Sequence, residues 1–72
     1  MKRADAQKAV DVAFAENIAA EYRNILMLDL SADHPDRSAA DTQFRKALAI
    51  NVSAHAMASR AIAESKDLED EP

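Results

Sequence analysis

Large apolar residues recur along the first half of the chain at helical spacing. Val10, Phe14, Ile18, Ile25 and Leu28 fall on one face of a helix, and no stretch shows the period-two alternation of a half-buried strand. In the second half, Phe44, Leu48, Asn51, His55, Ala58 and Ile62 follow one another at alternating four- and three-residue steps, the seam of a helix packed along one side. The interruption between them is Leu30-Ser-Ala-Asp-His-Pro-Asp-Arg37. Pro35 biases His34 away from helical angles, and Asp33, Asp36 and Ser38 are each suited to cap the next helix. Ser38-Ala-Ala-Asp41 has the outline of a capping box with Asp in place of Glu or Gln. The pattern predicts helix 1 over about 5–29, a loop over about 30–36 and helix 2 over about 37–66.

A link this short turns the helices antiparallel. The expected fold is all-α, an antiparallel two-helix hairpin in a single domain, 1–72, with dimerisation into a four-helix bundle as its natural extension. Facing residue numbers then sum to about 69, which pairs Ile25 with Phe44, Ile18 with Asn51 and Phe14 with His55. The acidic tail, 67–72, opposes the negative end of the helix dipole and is expected to fray.

A second periodicity runs beside the first. Ala40, Ala47, Ala54 and Ala61 recur every seven residues, as do Ala6, Ala13 and Ala20. Such rows border the larger apolar stripes and let backbones approach closely. Ile50 and Met57 lie beyond the row on helix 2, and Met27 lies at the matching edge of helix 1. Residues 47–59 contain no Asp, Glu, Lys or Arg, although 31% of the chain is charged. A helix without charge around its circumference for several turns is covered on more than one side. Ile50, Ala54, Met57 and Ala61 are therefore expected to form a protein-binding centre, extended from helix 1 by Met27 and Leu26.

Composition strengthens this picture. Alanine supplies 17 of 72 residues and glycine none, which favours helix throughout. A chain this short has a thin core and no Cys to staple it, so association with a further chain is the common remedy. The formal net charge of −4 disfavours a general nucleic-acid binder. No apolar run approaches the roughly 18 residues of a membrane span, and Met-Lys-Arg-Ala-Asp-Ala-Gln-Lys lacks a signal-peptide core. These features point to the cytoplasm, most simply of a bacterium.

Candidate chemistry is sparse. Glu21 is an acid on the large-residue face, and the register sets Arg45 close to opposite it, so a structural ion pair is expected. His55 and Asn51 are expected to satisfy each other, Asn17 or a backbone group, fixing register as a polar seam residue does; a pH-sensitive contact is the sharper alternative. His34 between Asp33 and Asp36 lacks the convergent donors of a metal site. Ser31, Ser38, Ser53, Ser59 and Ser65 have no companion base, and no glycine exists to build a phosphate loop. Arg37, Arg45, Lys46, Arg60 and Lys66 are spread around helix 2 among acids, and Tyr22 alone offers an exposed ring for base stacking. No catalytic residue, cofactor or metal is expected.

The expected function is that of a small non-enzymatic regulator. It would bind and modulate or inhibit another protein, in the manner of an anti-activator or anti-sigma factor, through the uncharged face of helix 2. The alternative is a homodimeric four-helix-bundle structural or RNA-binding adaptor. Two helices, a short turn and an acidic tail resemble the plasmid-copy-number hairpin proteins that dimerise and hold paired RNA loops. That resemblance is one of outline, with no RNA-contacting residue aligned.

Overall fold

The computed structural model describes residues 1–31 and 37–70, with side chains described for 1–27 and 38–70. Two helices, α1 (Arg3–Ser31) and α2 (Arg37–Glu64), pack against each other as an antiparallel hairpin. Neither contains Gly or Pro, so nothing interrupts their hydrogen-bond ladders. α2 begins at Arg37, which places Ser38 inside its first turn rather than ahead of it as a cap. Asp41, the other end of the expected capping box, instead accepts a hydrogen bond from Arg45 Nε at 2.8 Å. The predicted loop and caps at Asp33, His34, Pro35 and Asp36 lie outside the described residues, as does the side chain of Leu28.

The two helices meet along a narrow seam. On α1 the half-buried positions include Arg3, Gln7, Val10, Phe14, Ile18, Glu21 and Ile25; on α2 they include Ala40, Phe44, Ala47, Asn51, His55, Ala58 and Ile62. The expected register holds at its centre, where the Phe14 and His55 rings lie 4.7 Å apart. One seam position differs from expectation. Leu48 is 37% exposed and Ala47 occupies the seam instead. The three-residue step falls between Phe44 and Ala47, which turns Leu48 to the flank.

The tail is held rather than frayed. α2 ends at Glu64, and the chain then folds back beside the start of α1. Arg3 N–H donates to the Glu69 carbonyl at 2.7 Å and Glu69 N–H donates to the Met1 carbonyl at 3.1 Å. The Arg3 side chain donates to the carbonyls of Ile62 and Ser65, the latter at 2.9 Å, and pairs with Asp70 at 2.7 Å. The helix dipole of α2 alone would repel the acidic tail; the hairpin also brings in the amino end of α1, whose free N–H groups and cation attract it. Glu71 and Pro72 lie outside the described residues.

The product is a rod, 57 × 16 × 12 Å, with a radius of gyration of 16.6 Å. A compact domain of this length would have a radius of about 11 Å. Among the described residues none is fully buried.

Candidate interaction face

Two helices side by side leave two broad faces, and this hairpin makes them chemically unlike. On one, Val10, Ala13, Phe14 and Asn17 of α1 and Asn51, Ala54, His55 and Ala58 of α2 line a shallow groove. The opposite side of the seam carries a polar network. His55 Nε2 lies 2.7 Å from Asp11 Oδ1. Gln7 Nε2 donates to Asp11 Oδ1 at 2.9 Å and to Ser59 Oγ at 3.0 Å. An ionised carboxylate only accepts, so Nε2 is the protonated ring nitrogen of His55. The hydrogen bonds from His55 and then Gln7 hold the Asp11 carboxyl below the usual carboxylate range.

These contacts revise two sequence expectations, for His55 and for Arg45, while Asn51 meets a backbone group, one of the partners expected for it. His55 is satisfied by Asp11, not by Asn51 or Asn17. The Asn51 amide turns back to the Ala47 carbonyl on its own helix at 2.8 Å. Arg45 does not pair with Glu21, because its guanidinium reaches one turn back to Asp41. A four-residue helical step is always within reach of a long side chain, whereas a cross-helix pair needs the right flank as well as the right height. Arg45 sits on the flank away from the seam.

The predicted contact residues are distributed as follows. Ala54 lines the groove. Ile50 and Met57 are 63% and 69% exposed, and Ala61 is exposed too. At about 100° per residue these four share the groove-side edge of α2. Ala6, Ala13, Ala20 and Asn24 line the matching edge of α1 by the same count, and the outer rim of the strip carries Lys46, about 20° from Met57 around α2. Met27 is 66% exposed and borders this side near the loop end, roughly 12 Å along the axis from Ile50. Leu26, 41% exposed, is one residue away and therefore about 100° around the helix. It joins the other face rather than extending the Ile50–Met57 edge.

The sequence reading passed over that other face. Tyr22, Leu26, Leu48 and Val52 are all exposed there. They could have been found as the positions immediately flanking the seam on its Asp11 side. Asp11, Asp41 and Arg45 interrupt this patch with charge, whereas on the groove side of α2 charge is confined to the rim. Among the described residues no group of three His, Asp or Glu is placed to hold a metal ion, and no helix is long and apolar enough to cross a membrane. The expectation for His34 concerns a residue outside those described. No protein-family model, curated protein or solved structure matches the chain, which leaves the chemistry of the two faces as the ground for a functional reading.

Proposed function

We propose that this chain is a small non-enzymatic interaction protein that modulates another protein by laying the uncharged, groove-side face of α2 against it. The observation that carries this reading is the exposure of Ile50 and Met57 on the same edge as Ala54 and Ala61. A rigid helix presents two large apolar side chains between small ones there, the pattern of a helix that docks along a helix or into a groove. The unbranched thioether of Met57 adapts to an uneven partner surface. Contact is made by burial, with Ile50 and Met57 as anchors and Met27 at the margin.

The test is affinity capture from the native host with the wild-type chain and with Met57→Asp. Loss of a captured protein in the variant, with helical circular dichroism unchanged, supports the reading. Capture that ignores the substitution, or unfolding of the variant hairpin, overturns it.

In a second reading, a homodimeric four-helix bundle serving as a structural or RNA-binding adaptor, the dimer itself is favoured by surface area. The chain exposes 5760 Å², whereas a compact monomer of its mass exposes about 4,400 Å².

A further inference from the structure

We infer that the groove-side face is closed by a second copy of this chain, related by a twofold axis that crosses α2 at Ala54. This rests on the reading of that face as an interface; it adds the occupant and a consequence for regulation.

Area comes first. The surface in excess of a compact monomer is roughly 1,300 Å² per chain, and stable interfaces bury about 800 Å² per partner or more. The whole excess is of the size one obligate contact removes. Net charge of −4 per chain opposes association, but Ile50, Ala54, Met57 and Ala61 at the centre of the contact are uncharged, with Lys46 and Glu64 at their rim.

The order of residues on α2 supplies the geometry. A twofold contact is self-complementary: if residue i meets residue j, then j meets i. The groove-side edge of α2 is nearly symmetric about Ala54. Ala47 and Ala61 each stand seven residues away; Ile50 stands four before and Met57 three after. When α2 lies antiparallel on its own copy, Ile50 meets Met57 of the second copy, and Ala61 comes level with Ala47 at the seam margin. The alanines let the backbones close to a short interaxial distance while Ile50 and Met57 fill the spaces between them.

The rim selects this arrangement over the other twofold stacking, in which α2 lies on α1 of the second copy. With α2 on α2, Lys46 approaches Glu64 of the second copy, twice by symmetry. The same axis, carried across the hairpin register, crosses α1 level with Ala15 and sets Asp5 near Arg23 of the second copy. With α2 on α1, Lys46 would face Arg23 and Glu64 would face Asp5. Like charges across an interface disfavour that register. Lys46, Glu64, Asp5 and Arg23 are all exposed.

The dimer hides Ile50 and Met57, so another protein gains them only when the copies separate. Binding of that protein then weakens as the chain's own concentration rises, a linkage that follows from competition for one surface.

The full chain is tested by sedimentation equilibrium and by cross-linking. A dimer is expected. Lys46→Glu should weaken it roughly tenfold, and Lys46→Glu combined with Glu64→Lys should restore it. The chain has no cysteine, so Ala54→Cys should form an intermolecular disulfide on mild oxidation, whereas Ala56→Cys, on the far side of α2, should not. A folded monomer overturns the inference, as does a dimer that cross-links no faster through position 54 than through 56. The two readings also fail separately. A monomer that captures a protein lost on Met57→Asp overturns the dimer alone. A dimer linked through position 54, with capture indifferent to Met57→Asp, overturns the regulator alone.

Discussion

Asp11 accepts from two donors at once, His55 Nε2 at 2.7 Å and Gln7 Nε2 at 2.9 Å, and this makes one carboxylate a cross-helix pin. Its acidity is raised by those bonds, so the folded chain binds this proton less tightly than the unfolded chain. The contribution to stability is complete above the ordinary Asp range, about pH 4, and is lost as pH falls through the lower folded value. The unfolding midpoint of the wild type should therefore fall more steeply on acidification below about pH 4 than that of Asp11→Asn, as followed by circular dichroism. Equal slopes would remove the pin. Asn51 is the opposite case. Its amide is spent on its own helix, so it adds nothing across the seam. Asn51→Leu should raise stability by about 1 kcal/mol, measured by thermal unfolding; a drop would mean that Asn51 does hold the helices together.

At the scale of elements, the helix ends are tied by Arg3. Its guanidinium accounts for the carbonyls of Ile62 and Ser65 at the end of α2 and for the Asp70 carboxylate, while its backbone N–H meets Glu69. The last carbonyls of a helix otherwise rely on water or a cap, and α2 has no basic residue in its last turn. Arg3→Met keeps the stem but removes the donors. It should cost about 1 kcal/mol, and amide exchange at Glu69 should speed up while exchange in the middle of α1 stays slow. Unchanged protection at Glu69 would show that the backbone pairing holds the tail without the side chain. Helix identity and the central pairing of Phe14 with His55 were legible from apolar spacing, because that spacing is a local property. The Arg3 clamp was not, because its partners lie 59 to 67 residues away along the chain and carry no mark of their own.

At the scale of the molecule, the described residues form one layer of helix on one layer of helix, without a closed interior among them. A rod with no fully buried side chain among its described residues stands near the lower limit of independent stability. If a further copy or partner supplies the missing layer, the unfolding midpoint should rise with protein concentration, since association stabilises the folded form by mass action. A midpoint independent of concentration over a hundredfold range would show that the hairpin stands alone. Salt should act on this association through the rim pairs, which it screens, and leave the apolar centre of the contact unaffected.

The residue pattern alone determined the two helices, their antiparallel pairing, the central register and the presence of more apolar surface than one neighbour covers. These follow from helical periodicity and a short link, both readable within a few turns. Tertiary packing decided which flank each residue took. It placed Ala47 rather than Leu48 in the seam, separated Leu26 from Met27, gave His55 to Asp11 and brought the acidic tail onto Arg3. The physical reason is that a stripe of three- and four-residue steps leaves the seam free to run along either of two adjacent positions. Only packing against the partner helix resolves that choice.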